Sequence, residues 1–421
     1  MRQWSILDPL EVPQELISRA GYTKPHSPND DVDSHMLAAI YSNAADFLIS
    51  QDKRLRGHAE RAGLGNRVMT IQGGIELLER LFDEPTTFPT VRQLKGYQLN
   101  SHDPLFESLR SEYNGFDVWL QKVQREHRDC LVIGDSPEGM EGLAILKTET
   151  DQPHGIGGRV LKVCTFKVAE HAVGTKRGEL LLKSTFGYAR SGNYEKMYVE
   201  VLPRHENLIF LLDAFGFRDL GRRTRRGEMA LVKDLCPTSN DASVHPLEFN
   251  RRFGPYAVLV SKPFVIPIQP RWHRVLFPEA SRQHGMFGTT AAGNAILKAY
   301  LTRSKITTLT IGSTILFYRS KDARAVTSIG VIEDLYRSTD PSVIRQFVGQ
   351  RTVYTDSQIR QLCRNTSVLA ILFRHDRLLS EPWSFHTLID NNVLKGPPQT
   401  VQKVIDKGAL KWISDNLDAV Y

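Results

Sequence analysis

The run from Leu161 to Gly192 constrains the fold of this chain more than any other stretch. LKVCTFKVA, Leu161–Ala169, is apolar and rich in β-branched and aromatic residues, which reads as a strand. EHAVGTKRG follows, and ELLLKSTFGYARSG then carries apolar residues at about i, i+3 and i+4, a helical pattern. A strand that passes through a glycine turn into a helix is an element of an α/β fold. Gly174 and Gly178 let the backbone approach a ligand closely. The helix N-terminus offers unpaired N–H groups and a positive dipole end, and Lys176 and Arg177 add full charge. The segment can cradle a pyrophosphate, and it also fits a plain strand–turn–helix. It is not a P-loop, because no Gly-Lys-Ser/Thr follows the glycines, and it is not a G-x-G-x-x-G turn.

The 421 residues suggest about three domains at roughly 100–200 residues each. Hydrophobic residues make up 41% and charged residues 24%, which excludes disorder as the main state and any collagen-like fibre. With 54 Lys+Arg against 47 Asp+Glu, the net charge of +7 permits a polyanionic partner without demanding one. Cys130, Cys164, Cys236 and Cys363 are far apart, so no disulfide framework or zinc knuckle is expected, and no metal. No apolar run approaches the ~18 residues of a membrane helix. The start, MRQWSILDPLEVPQEL, lacks the apolar stretch of a signal peptide. The expectation is a cytoplasmic protein with no membrane contact.

Three textures divide the sequence: a helix-rich part, 1–94; alternating strands and helices, 95–236; and a mixed part with many short strands, 255–421. Residues 237–254 read as a polar linker. In the middle part a helix is expected over Pro104–His127. Strands DCLVIG and LAILKTE follow around the turn DSPEGMEG, and then the strand–turn–helix described above. MYVEVL is a strand, ENLIFLLDAFGF a helix ending in Gly216–Phe217, and GEMALVKDL a last strand.

This order of elements resembles the GNAT acyltransferases. In that family a Q/R-x-x-G-x-G/A turn after the fourth strand binds the pyrophosphate of acetyl-CoA. Here Gly178 matches the last glycine, Val173 stands at the basic opening position, Lys176 stands at the first glycine, and Gly174 is a displaced glycine. PRHENLIFLLDAFGFRDLG matches the closing helix and Gly-Phe of the family. The resemblance covers the middle third of the chain. It implies a mixed sheet with flanking helices, acetyl-CoA as cosubstrate, and direct attack of an unknown amine acceptor on the thioester. Strand amides at Phe166, Lys167 and Val168 would hold the pantetheine, and Val173, Gly174, Thr175, Lys176, Arg177, Gly178 and Glu179 the pyrophosphate. Many members place a tyrosine acid on the closing helix, where this chain has Leu212, which cannot donate a proton. Tyr198 as acid and Glu200 as base are the candidates in its stead, with His205 and Asn207 nearby.

The stretch from Ser27 to Leu78 resembles the C-terminal half of a PIN-type ribonuclease domain. Asp33 opens a helix, DFLIS is a short strand, and Ser50-Gln51-Asp52 stands where the family has an acid-bearing tripeptide. The family draws further acids from a first half. Only 32 residues precede Asp33, too few for it, and Asp8 is too close to serve. A truncated, inactive module is the expectation. Asp33 as an N-cap and Asp52 as a turn residue explain the same positions.

In the C-terminal part, IGSTILFYRS followed by SIGVI resembles the PUA-like superfamily of ASCH and EVE domains. The resemblance implies a small β-barrel with helices that binds RNA or modified bases, with Arg271, Trp272, His273, Lys298, Tyr318 and Arg319 as contacts. Arg218, Arg222, Arg223, Arg225 and Arg226 form a second positive patch, or a solvated turn. The fold class expected is thus α/β multidomain, and the function N-acyl transfer to an amine on RNA or an RNA-associated molecule. The alternative is a non-catalytic RNA-binding or stress-response module in which the same fold senses acetyl-CoA or serves as a scaffold.

Overall fold

The computed structural model describes residues 11–22, 27–71, 74, 89–134, 139–280 and 291–418. The chain divides into two units, Met1–Pro85 and Thr86–Tyr421. The first contains α1 (Gln14–Ala20), α2 (Pro28–Tyr41), β1 (Leu48–Ile49), α3 (Lys53–Arg61) and β2 (Val68–Met69), with β1 and β2 parallel. Its core is Leu16, Leu37, Leu55 and Ala59. The helix α2 begins more than a turn before Asp33. Ser27 caps it, Asp30 closes a reciprocal capping box, and Pro28 occupies the first helical position. Asp33 therefore lies inside the helix. Asp52 caps α3 by accepting from Arg54 N (2.7 Å) and Leu55 N (3.2 Å). Burial, and then the charge of Asp52, push the Asp33 carboxyl up, so the two acids share a neighbourhood. No group of three or more His, Cys, Asp or Glu side chains among the described residues is placed to hold a metal. Asp8 lies outside the described residues.

The second unit holds two sheets. The central one has seven strands: β3 (Val91–Lys95), β4 (Asp129–Ile133), β5 (Gly142–Thr148), β6 (Val160–Val168), β7 (Lys196–Val201), β8 (Arg218–Arg223) and β9 (Met229–Asp234). Their order is β3-β4-β5-β6-β7-β9-β8. The sheet thus starts a few residues before 95. Every neighbouring pair is antiparallel except β6 and β7, which are joined by the crossover helix α6 (Arg177–Ser191). One face of the sheet packs Leu181, Phe186 and Ala189 of α6 with Leu212 of α7 (Glu206–Ala214). The other face is covered by α4 (Glu107–Glu112) and α5 (Phe116–Arg125) through Leu109, Phe116, Leu120 and Val123. The expected single helix over 104–127 is broken at Gly115, whose φ of 83° is left-handed. Residues 135–138 of the β4–β5 turn lie outside the described residues.

The stretch read as a linker contains a helix, α8 (Pro246–Phe253), with Leu247, Phe249 and Phe253 buried. Lys233 of β9 is fully buried and donates to the carbonyls of Arg251 (3.3 Å) and Arg252 (2.8 Å) at its end. Gly216 approaches the same turn so closely that a Cβ would stand 2.1 Å from the Arg251 oxygen.

The C-terminal sheet has six strands in the order β11-β14-β13-β12-β10-β15. They are β10 (Phe264–Ile268), β11 (Leu297–Thr302), β12 (Thr314–Arg319), β13 (Ala325–Ser338), β14 (Val368–Ser384) and β15 (Gln402–Lys403). The sheet is open, with β11 and β15 at its edges, and does not form the small β-barrel expected. Both faces are covered. Ile315 and Phe317 of β12 belong to one core, while Leu316 and Tyr318 belong to the other. Successive strand residues alternate between faces, so a sheet buried on both sides shows an unbroken apolar run. No helix among the described residues is long and apolar enough to cross a membrane.

Candidate active site

The site begins with a mismatch of strand lengths. β6 and β7 pair only from Val160↔Lys196 to Val163↔Val199. β6 continues to Val168, paired on its β5 side alone, and β7 continues to Val201, paired on its β9 side alone. Beyond Val163 and Val199 the two strands part, and their facing backbone groups have no strand partner. At the fork, the pairing of β5 with β6 shifts register between Ile145 and Leu146, which leaves Cys164 as the extra residue of a bulge. A bulge re-aims the local N–H and C=O groups. A cleft of about 990 Å³ fills the fork. Its walls are β6 from Lys162, the turn into α6, β7 from Val199, α7, and the α4–α5 junction with Tyr113 and Trp119.

Phe166, Lys167, Val168, Val173, Gly174, Lys176, Arg177, Gly178 and Glu179 all line this cleft. Gly174 (φ 87°) and Lys176 (φ 60°) are left-handed, and Lys176 occupies the N-cap position of α6 without a side-chain cap. The first-turn N–H groups of a helix have no intrahelical partner. Gly178 packs α6 against α7, since a Cβ there would stand 3.2 Å from Leu211 Cδ2. Thr175 is not a wall residue; its hydroxyl donates to Ala172 O at 2.6 Å.

The charges of the turn are largely spent on protein partners. Arg177 Nε donates to Glu141 Oε2 at 2.8 Å. Lys176 Nζ stands 3.5 Å from Glu179. Glu179 is buried and accepts from Ile296 N (3.0 Å), Leu297 N (3.3 Å) and Arg351 Nη1 (3.0 and 3.2 Å). Of the two contributions expected from the turn, the side-chain charge of Lys176 and Arg177 is thus engaged within the protein, which leaves the backbone N–H groups of the helix start.

Glu200 lines the cleft and accepts from Lys162 Nζ (2.6 Å) and His154 Nε2 (2.8 Å). Burial works to raise its pKa, but these two donors outweigh it and hold the carboxyl below the usual range. Glu149, also on the wall, is held low in the same way by Lys147 and Tyr198, against burial. Tyr198 is 1% exposed, donates to Glu149 Oε1 at 2.9 Å, and is not a wall residue. Burial, and then Glu149, push its pKa far up. Leu212 is core. Protic wall residues that the sequence did not single out include Tyr113, Cys164 and Thr165; His205, named there as nearby, also lines the cleft. Burial, followed by Glu228 and Glu112, pushes Tyr113 up, so its hydroxyl keeps its proton. No local pattern marks Tyr113, which reaches the cleft from the α4–α5 junction.

The residues expected to contact RNA are not assembled into a surface. His273 and Lys298 are 0% exposed and Tyr318 is 2% exposed, so these three cannot touch a nucleic acid in this fold. Lys298 Nζ donates to Ala292 O (2.7 Å) and Gly293 O (2.9 Å), and His273 Nε2 meets Thr327 Oγ1 at 2.7 Å. The Arg271 guanidinium lies 4.5 Å over the Trp272 ring, which packs on Tyr354. Arg319 is paired with Asp322. In the second patch Arg223 pairs with Asp219 and Arg218 with Asp234.

No family model and no curated protein matches the sequence. Solved structures similar to parts of it include two kinds. The ASCH protein of Zymomonas mobilis is 16% identical over 36% of this chain and 94% of its own, with a TM-score of 0.29. An N-acetyltransferase from Staphylococcus aureus Mu50 is 18% identical over 35% of this chain and 98% of its own, at 0.29. A putative acetyltransferase of the GNAT family from Desulfovibrio desulfuricans is 14% identical over 35% and 100%, at 0.28.

Proposed function

We propose that the cleft between β6 and β7 binds an acyl-CoA, with acetyl-CoA as the cosubstrate, and that the protein transfers the acyl group to an amine. The observation that carries this reading is the fork itself. Two parallel strands that part after four residues leave a row of unpaired backbone N–H and C=O groups, and these suit the amides of a pantetheine arm. The fork ends at the N-terminus of a fifteen-residue helix. Backbone N–H groups and the helix dipole there suit a pyrophosphate.

Placed so, the thioester lies near the Cys164 bulge, where a re-aimed N–H can polarise its carbonyl. Glu200 and Glu149 stay ionised, attract an ammonium acceptor, and order the water that takes its proton. With its pKa held down, Glu200 is a better anchor for charge than a proton acceptor. The amine nitrogen then bonds to the carbonyl carbon, and the C–S bond breaks. The departing thiolate is protonated by Tyr113 or by water beside it. Positioning supplies most of the acceleration in such a scheme.

The acceptor is an amine small enough, or extended enough, to enter beside Tyr113 and Trp119. An RNA-borne acceptor is part of the proposal with no surface feature in its favour. Release of free thiol from acetyl-CoA across a panel of amines (polyamines, peptide N-termini, aminoacylated RNA) tests the reaction. Turnover that falls in Glu200→Gln supports it. Tight acetyl-CoA binding with no release for any amine would replace it with a sensor.

A further inference from the structure

The turn that would cradle the pyrophosphate is held from behind by residues of the C-terminal part of the chain. Thr175 O, inside the turn, accepts from Asn294 Nδ2 at 3.0 Å, and Asn294 is 2% exposed. Three residues past the N-cap, the Glu179 carboxylate turns away from solvent and is only 3% exposed. It takes both N–H groups at the start of β11, Ile296 and Leu297, and the guanidinium of Arg351. Arg351 also donates to Leu297 O at 2.7 Å, which fastens that strand end to the same carboxylate. Leu297 and Arg351 themselves reach the cleft wall. These partners lie more than a hundred residues from the turn in sequence, on a part of the chain that the transfer chemistry does not use.

Two physical consequences follow. Lys176 sits in the left-handed region, which is strained for a non-glycine residue and persists only where its surroundings enforce it. The anchors at Thr175 and Glu179 stand on either side of it. A carboxylate in the first turn of α6 would also repel a phosphate at the same helix end. Arg351 opposes that charge, as does Lys176 at 3.5 Å.

On this basis we infer that Arg351 and Asn294 are positioning residues for the acyl-CoA site: through Glu179 and Thr175 they fix the phosphate turn in its binding form and neutralise the buried first-turn carboxylate that would oppose a phosphate. The C-terminal part of the chain is thus a structural part of the cosubstrate site. This rests on the acyl-CoA reading above.

The test is calorimetric titration of the full chain with CoA and, separately, with S-acetylpantetheine, which lacks the phosphates. Arg351→Gln should weaken CoA by about tenfold, a loss on the scale of a charged hydrogen bond, and leave S-acetylpantetheine unchanged. Adding Glu179→Gln to Arg351→Gln should restore most of the CoA affinity, because glutamine still accepts from Ile296 N and Leu297 N but carries no charge. Should Arg351→Gln fail to fold, as judged by its thermal transition, Asn294→Ala carries the same comparison between the two ligands. If the wild-type chain binds no CoA, the acyl-CoA reading fails and this inference falls with it. If the wild type binds CoA and the variants bind it equally well, or lose both ligands alike, the inference is overturned and the acyl-CoA reading stands.

Discussion

The central sheet and the C-terminal sheet use the same kinds of residue for opposite ends. Lys162 and Glu200 stand on a cleft wall, where their pairing keeps charge accessible. Lys298, on β11, and His273, on a helix over Pro270–Leu276, are fully buried in the C-terminal part, where their hydrogen bonds serve the fold. Burial drives the Lys298 ammonium well below the ordinary lysine range and pushes the His273 pKa down to about 3. The difference comes from what covers each position. β6 and β7 part and admit solvent between them, whereas the C-terminal sheet is packed over on both faces. A basic or aromatic residue therefore says little about ligand contact until the sheet that carries it is known to open.

Substitutions can break this contrast. The largest effect is expected where the two halves are pressed together. Gly216→Ala puts a Cβ 2.1 Å from the Arg251 oxygen at a φ of 84°, and should lower unfolding free energy by about 3 kcal/mol or more. Denaturant titration measures it, and a loss under about 1 kcal/mol would show that the α8 turn yields easily. Lys298→Met removes the ammonium that donates to Ala292 O and Gly293 O. It should cost about 2 kcal/mol of stability with CoA affinity unchanged. Lys162→Met should do the reverse, costing about 1 kcal/mol or less while impairing turnover through Glu200. If the two lysine variants behaved alike, the distinction between wall and core would be wrong.

The smallest effect is one of pH. The Glu200 pKa is depressed in the fold, so its contribution to stability is present in full above the ordinary glutamate value of 4.5 and fades as pH falls through the lower folded value. Thermal melts of wild type and Glu200→Gln should differ at neutral pH and converge in acid. Curves that run parallel across that window would mean the Lys162 and His154 contacts do not hold the charge.

Local pattern carried much of the middle of the chain. Leu161–Ala169 is strand from Val160 to Val168, the glycine turn is a turn, and the helix after it spans Arg177–Ser191. These elements are set by short-range propensity, which one sequence displays. The fork was not visible, because it depends on how far β6 and β7 stay paired across an intervening helix. Nor was the fate of Glu179. A carboxylate at a helix start reads as a dipole partner or a ligand contact, and its actual partners at residues 296, 297 and 351 are remote in sequence. Tyr318 was misplaced for a related reason: Leu316-Phe317-Tyr318 has no polar alternation, since each side chain faces a core. The polar stretch 237–254 read as a linker because Leu247, Phe249 and Phe253 are spaced through charged residues.

The central claim is that the fork between β6 and β7 is a cosubstrate site, and titration of the full chain with acetyl-CoA tests it most directly. The account predicts one molecule bound per chain, with binding abolished in Gly178→Trp, whose indole must displace Leu211 and the α7 wall. No binding by the wild type, or undiminished binding by a folded Gly178→Trp, would contradict it.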